Sequence, residues 1–219
     1  MPRKIWAFCC IISRTKGEGM IKKIGGLLVV ILAAGCTTLP TSAEWNARGD
    51  GYFKDGKTAQ AIKAYNKAIV INPDNLEAYA SRGAAHFVDG NFELAANDFK
   101  YVLEKNPYYA DAYTAYGSVL AARRDFHNAL EVLNMAIEMK PSKPENYFSR
   151  GGVYVMLGEY ADAVSDYTAV LNVYPAADVY NARGIAYAQW GKKDLAAKDF
   201  EAAKSGKLPA SLSVYSQLK

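Results

Sequence analysis

Residues 144–175 read PENYFSRGGVYVMLGEYADAVSDYTAVLNVYP, and this stretch decides the fold because its markers recur along the chain. Prolines occur at 73, 107, 141, 175 and 209, glycines at 49, 83, 117, 151 and 184, and alanines at 61, 95, 129, 163 and 196. The spacing is 34 residues, except for one step of 33 among the glycines and among the alanines. A fixed period of this size indicates a repeat architecture.

Each repeat is predicted to hold two helices joined by a turn. Glycine takes the left-handed conformation that ends a helix, so we expect turns at Asp55-Gly56, Asp89-Gly90 and Leu157-Gly158. The proline of each repeat ends the second helix because it has no backbone N–H. One repeat cannot bury its apolar face alone, so stacking of neighbours must supply the core.

The pattern resembles the tetratricopeptide repeat, whose motif has an aromatic, Gly, Tyr, Ala, an aromatic, Ala and Pro at positions 4, 8, 11, 20, 24, 27 and 32. The first repeat matches with Trp45, Gly49, Tyr52, Ala61, Tyr65, Ala68 and Pro73. The resemblance implies an all-α fold, a right-handed superhelical α-solenoid of five helix pairs. The repeats would cover residues 42–75, 76–109, 110–143, 144–176 and 177–209, and a short C-terminal capping helix would cover 210–219.

Arginine at repeat position 7 occurs together with aspartate at position 23 in three repeats, although the first repeat has Arg48 with Ala64. Repeats two, four and five carry both, whereas the third repeat carries neither and has Tyr116 and Val132 instead. Joint presence and joint absence predict ion pairs between the two helices of a repeat. The pairs are Arg82 with Asp98, Arg150 with Asp166 and Arg183 with Asp199.

The segment from Met20 to Cys36 has the features of a targeting signal. Two lysines precede an almost wholly apolar run of a length typical of a secretory signal, and too short to span a membrane. Leu32 to Cys36, LAAGC, resembles the lipobox of bacterial lipoproteins. The resemblance implies a signal peptide over 20–35, a covalent lipid on Cys36, and a short linker over 36–41. The alternative is an ordinary signal peptide that contains a cysteine.

Residues 1–19 do not fit this scheme. They contain a second apolar patch and a polar stretch that a signal peptide does not need. We therefore expect translation to start at Met20, with residues 1–19 not belonging to the protein.

Composition excludes several classes of function. Residues 1–35 hold six cations and one anion, which leaves 20 Lys and Arg against 21 Asp and Glu. The remainder is not a basic nucleic-acid-binding body. No cysteine follows Cys36 and there are two histidines, so neither a disulfide framework nor a zinc site is expected. We expect no cofactor besides the lipid on Cys36.

Repeat positions 2, 5, 9 and 12 form one stripe on the first helix of each repeat. By resemblance to the family, this stripe faces a concave groove that binds another protein or peptide. Phe53, Phe87 and Phe148 are the candidate anchors, although packing of the Phe87 and Phe148 rings between repeats is the alternative. The predicted groove residues are Asn46, Phe53, Lys54, Phe87, Val88, Phe148, Val155, Met156 and Asn181. Four acids at position 2 either form an anionic rim or stabilise the helix N-termini.

Three functions from different classes are compatible with the sequence. The leading one is a non-enzymatic, lipid-anchored scaffold on the periplasmic face of the outer membrane. It resembles the repeat lipoproteins that assist pilus secretin biogenesis or recruit peptidoglycan hydrolases. The alternatives are a self-assembling homo-oligomer of repeats and, more remotely, a cell-wall hydrolase. The sequence offers no nucleophile and base, metal cluster or phosphate loop for the hydrolase.

Overall fold

A computed structural model describes residues 39–205, which form ten α-helices and no strand in that range. The helices are α1 Ser42–Lys54, α2 Thr58–Ile71, α3 Leu76–Val88, α4 Phe92–Lys105, α5 Ala110–Ala122, α6 Phe126–Met139, α7 Pro144–Leu157, α8 Tyr160–Val173, α9 Ala177–Gln189 and α10 Lys193–Ser205. The predicted all-α fold of helix pairs is confirmed. The predicted extension (1–19), signal peptide (20–35), lipidated Cys36 and capping helix (210–219) lie outside the described residues.

The first of the described helices begins at a capping box. The backbone N–H of Glu44 donates to Thr41 Oγ1 at 3.2 Å, and the Thr41 N–H donates to Glu44 Oε2 at 2.7 Å. These two bonds satisfy N–H groups that a helix start otherwise leaves without partners. The first repeat therefore has a defined helix start at Thr41.

The turns between paired helices adopt the left-handed conformation expected of them. Gly56, Gly90, Gly158 and Gly191 have φ between 73° and 82°. The third repeat has Arg124 at the corresponding turn, with φ 64°. A side chain in this region costs about 1–2 kcal/mol, which the third repeat therefore carries and the others avoid.

Close approach of the paired helices explains the glycine series. A Cβ built on Gly117 would lie 2.6 Å from Leu133 Cγ, and one on Gly151 would lie 2.9 Å from Tyr167 Cε1. Both Leu133 and Tyr167 are buried parts of the core. Glycine at repeat position 8 therefore lets the large side chain at position 24 fill the space between the helices.

Stacking is continuous along the described chain. Each helix packs on the helices before and after it, and the first helices of successive repeats also contact each other. The buried cores cross the repeat boundaries. One cluster, for example, joins Ala95, Phe99 and Val102 of the second repeat to Ala112 and Val119 of the third. The first helices therefore line one continuous face of the stack.

The predicted ion pairs are confirmed. In each pair the arginine Nε and Nη2 donate to the two carboxylate oxygens of the aspartate, at distances from 2.6 to 2.9 Å. The aspartate side chains are 7–8% exposed. The carboxylate raises the pKa of each arginine above its ordinary value.

Each of these arginines also reaches the preceding repeat, which the sequence pattern did not predict. Nη1 of Arg82 donates to Asn66 at 2.6 Å, and Nη1 of Arg150 donates to Asn134 at 2.7 Å. Nη1 of Arg183 donates to Thr168 Oγ1 at 2.9 Å. The guanidinium thus joins three helices across a repeat junction.

The junction between the second and third repeats has no such bridge in the described chain. Tyr116 and Val132 replace the arginine and aspartate, and Lys100 stands where the acceptor would be. These three residues line a polar cavity of about 340 Å³ together with Arg123 and Glu131. This junction has one exposed ion pair, with Arg123 Nη2 3.2 Å from Glu93 Oε2, and otherwise depends on the apolar cluster described above.

Candidate functional site

In the first two repeats, three of the predicted groove residues are at least half-buried. Asn46 is 4% exposed, and its Nδ2 is 3.4 Å from Asp50 Oδ2. Phe53 packs against the core cluster of Ala61 and Tyr65. Phe87 lies 5.6 Å, centroid to centroid, from Phe92 of the same repeat. These contacts show how the three side chains pack, and groove binding by them remains a prediction.

The remaining predicted groove residues differ in accessibility. Val155 is half-buried against the cluster of the fourth and fifth repeats. The exposed ones are Lys54, Val88, Phe148, Met156 and Asn181. Groove binding by any of them remains a prediction.

Phe148 lines a cavity at one end of the stripe. This cavity of about 530 Å³ lies between the fourth and fifth repeats. Phe148 is 37% exposed and packs with its ring centroid 5.6 Å from that of Tyr167, so the ring is held while one side faces the cavity. The other lining residues are Pro144, Glu145, Ser149, Val170, Val173, Tyr174, Asp178 and Val179. We call this cavity the 4/5 pocket.

The floor of the 4/5 pocket is apolar, and its charged residues are both acidic. Glu145 and Asp178 occupy position 2 of the fourth and fifth repeats. Neither forms an ion pair with a lysine or arginine of residues 39–205. The pocket therefore presents apolar surface beside two carboxylates without a cationic partner in that range.

Asp111, the position-2 acid of the third repeat, is paired with lysines of the same chain. Asp111 Oδ1 accepts hydrogen bonds from Lys143 Nζ at 2.8 Å and Lys140 Nζ at 3.1 Å. These bonds, led by that from Lys143, lower the pKa of Asp111. The four acids therefore do not form one uniform rim, because at least Asp111 has partners of its own.

Sequence reasoning found Phe148 but missed most of the 4/5 pocket. Pro144, Val170, Val173 and Tyr174 lie off the stripe and come from the ends of two helices. The available signal was the step of 33 residues in the glycine series, which shortens the connection beside this pocket.

Residues 39–205 contain neither a metal-binding cluster nor a membrane-spanning helix. No group of three His, Cys, Asp or Glu side chains there is arranged to hold a metal ion. None of the helices in the same range combines the length and apolar character needed to cross a membrane.

Over residues 39–205, ten helices in stacked pairs, with the first helices on one face, define a helical repeat protein of the kind that binds other proteins. Tetratricopeptide repeat models match residues 85–144 and 150–211, and a TPR repeat model matches residues 49–90. The chain belongs to the tetratricopeptide repeat family. Proteins of this family act as protein-interaction scaffolds.

Solved structures share this fold. The crystal structure of MamA is 27% identical, with a TM-score of 0.61 over 72% of this chain and 93% of that chain. TTC0263, a thermophilic TPR protein of Thermus thermophilus, is 20% identical, with a TM-score of 0.69 over 81% and 96%. YrrB, described as a TPR protein with an unusual peptide-binding site, is 21% identical, with a TM-score of 0.58 over 81% and 92%. No curated protein sequence matches the chain significantly.

Proposed function

We propose that the protein is a non-enzymatic, lipid-anchored scaffold that holds another protein in the bacterial cell envelope. Its role would be in assembling an envelope complex, such as a pilus secretin, or in recruiting a peptidoglycan hydrolase. The observation that carries the proposal is the 4/5 pocket, where the stripe of first-helix residues opens into apolar surface beside Phe148. Aromatic and apolar anchors in pockets supply most of the energy of protein binding.

The sequence around Cys36 supports the anchor. The LAAGC motif would direct lipidation of Cys36, and Thr37 after it favours the outer membrane over the inner one. Since Thr41 already caps α1, the linker between the lipid and the first repeat is short. At roughly 3.3–3.6 Å per residue it reaches at most about 20 Å. The first repeat would therefore lie against the periplasmic face of the membrane.

Partner capture tests the scaffold. Crosslinking pull-down in the native organism should recover a partner with the parent chain and lose it with Phe148→Glu. Leu94→Glu is the matched control, because Leu94 is 50% exposed on the second helix of its repeat. Both changes place a charge on an exposed apolar position, so melting temperatures should stay close to that of the parent. Equal capture by both variants would remove the 4/5 pocket from the binding surface.

Fractionation tests the anchor. Cys36→Ser should lose palmitate labelling and appear in the soluble periplasmic fraction, because the diacylglyceryl group is the proposed attachment. Two acyl chains hold a protein stably, whereas the bare linker does not. A variant that still labels and still sediments with membranes would contradict the lipoprotein assignment.

Light scattering separates the scaffold from self-assembly. A scaffold should remain monomeric over a wide concentration range, whereas a chain that binds its own copy should show a mass that rises with concentration.

A further inference from the structure

The residue just before the first helix of a repeat covers the repeat that precedes it. Asn75, before α3, donates from Nδ2 to Ser42 Oγ at 2.8 Å. Ser42 Oγ in turn donates to the Ala68 carbonyl at 2.8 Å. Ser42 and Ala68 are positions 1 and 27 of the first repeat. Asn75 thus closes the surface over these two positions.

The next two junctions repeat this arrangement with larger side chains. Tyr109, before α5, packs on the cluster that contains Val102, which is position 27 of the second repeat. Lys143, before α7, reaches Asp111, which is position 2 of the third repeat, with Nζ 2.8 Å from Oδ1. We call the surface over positions 1, 2 and 27 of a repeat its slot. In three successive junctions a side chain of the protein itself therefore covers the slot of the preceding repeat.

The fourth junction leaves this slot open. Its connection runs from Tyr174 to Ala176, three residues where the other junctions have four. Ala176 precedes α9 and packs on the cluster that contains Val170, but its methyl group is too short to reach over positions 1 and 2 as Lys143 does in the third repeat. Pro144, Glu145 and Val170, at positions 1, 2 and 27, line the 4/5 pocket instead. The pocket is thus the slot that a side chain fills elsewhere in the stack.

We propose that the slot at the 4/5 pocket receives a lysine side chain of the partner protein. The aliphatic stem lies on Phe148, Val170 and Val179, and the ammonium group pairs with Glu145 and Asp178. Lysine stems bury well along apolar surface while the charge stays near water. This inference rests on the proposed protein-binding function and names the group that the groove recognises.

The protein itself supplies the precedent for lysine. Lys143 fills the equivalent slot of the third repeat and pairs with its position-2 acid, Asp111. The 4/5 slot has an acid at the same position, Glu145, and a second one, Asp178, on the opposite repeat. A partner lysine would therefore repeat in an intermolecular contact the pairing that Lys143 makes within the chain.

A titration with a lysine probe tests the slot directly. The full chain, labelled at its valine methyl groups, is titrated with Nα-acetyl-lysine methylamide and separately with the norleucine analogue, which has the same stem without the charge. The methyl resonances of Val170 and Val179 should shift with the lysine probe. The norleucine probe should bind about two- to tenfold more weakly, because exposed ion pairs each contribute modestly.

Two variants make the outcome specific. Glu145→Gln with Asp178→Asn should reduce lysine binding to the level of norleucine. Ala176→Lys should fill the slot from within, as Lys143 does, and abolish the shifts, whereas Ala176→Ser should leave them unchanged. Circular dichroism checks that each variant remains helical.

Several results would overturn the proposal. These are equal binding of the two probes, which would make the slot merely apolar, no shift at Val170 and Val179, and undiminished binding by Ala176→Lys. The probe needs no partner, so this test is independent of the capture experiment. Slot binding without partner capture would contradict the proposed function alone, and capture that survives Ala176→Lys would contradict the slot alone.

Discussion

Removing Arg150 should be far more costly than removing Arg150 and Asp166 together. Arg150 Nε and Nη2 donate to the Asp166 carboxylate at 2.8 and 2.7 Å, and the Asp166 side chain is 7% exposed. Arg150→Met keeps most of the stem but leaves this carboxylate buried without its cation. Breaking a buried pair in this way costs about 3–5 kcal/mol.

The other two members of the cycle are expected to cost less. Asp166→Val leaves the guanidinium, whose side chain is 20% exposed and can reach water, so about 1.5–3 kcal/mol is expected for the lost charged hydrogen bonds. Replacing both residues of a buried ion pair by apolar ones often leaves the free energy of unfolding unchanged. The third repeat has Tyr116 and Val132 at these two positions. The double variant should therefore lie within about 1–2 kcal/mol of the parent.

Urea unfolding followed by circular dichroism measures this cycle. The sum of the two single losses should exceed the loss of the double variant by about 3–6 kcal/mol, at or above the upper end of the coupling seen for contacting residues. Unchanged m-values would show that the variants unfold as the parent does. Single losses that add up to the double loss within about 0.5 kcal/mol would refute the idea that the pair acts as a unit.

Four further substitutions have expected outcomes in the same unfolding assay. Gly152→Ala should stabilise the fold by about 0.5–1 kcal/mol, because alanine favours the helix over glycine. Gly151→Ala should lose this gain, because its Cβ would lie 2.9 Å from the buried Tyr167 ring and such overpacking costs about 1–3 kcal/mol. Equal effects at the two glycines would contradict this reasoning. Burial lowers the pKa of His86, so its contribution is present above the ordinary value of about 6.5 and is lost as pH falls through the folded-state pKa. The parent should therefore lose stability as the pH falls below about 6.5, and His86→Tyr should remove that part of the loss. Arg124→Gly should stabilise by about 0.5–1 kcal/mol by relieving the left-handed backbone at φ 64°, and a loss would show that the arginine side chain matters more than the strain.

Much of the fold follows from residues whose role is local. The glycines and prolines mark helix ends, and small residues at fixed positions mark close helix contacts, so the pairing of helices was predictable from spacing. The arginine and aspartate pairs were predictable for a related reason, since the third repeat lost both partners together. The pattern within one repeat did not predict the additional hydrogen-bond acceptors of these arginines, because the acceptors belong to the preceding repeat. They are Asn66, Asn134 and Thr168.

The candidate site was harder to predict because exposure depends on neighbours. Asn46, Phe53 and Phe148 all belong to the same stripe, yet Asn46 is buried and Phe53 packs on a core cluster, while Phe148 faces a cavity. The difference is made by what lies over each repeat. The surface beside Phe148 is open because Ala176, in the connection before α9, has no long side chain. The pattern of residues along one helix does not predict which side chain the next connection places over it.

Because of the arginine bridges, the junctions between repeats are of two chemical kinds. The first, third and fourth junctions each have a guanidinium that joins three helices. The second junction has only the exposed ion pair of Arg123 with Glu93 and otherwise relies on apolar contacts around Phe99 and Val119. Hydrophobic stabilisation weakens on cooling, and charged hydrogen bonds do not share that temperature dependence. In the cold, the stack should therefore open first at its centre, between the second and third repeats, and separate into a two-repeat and a three-repeat block.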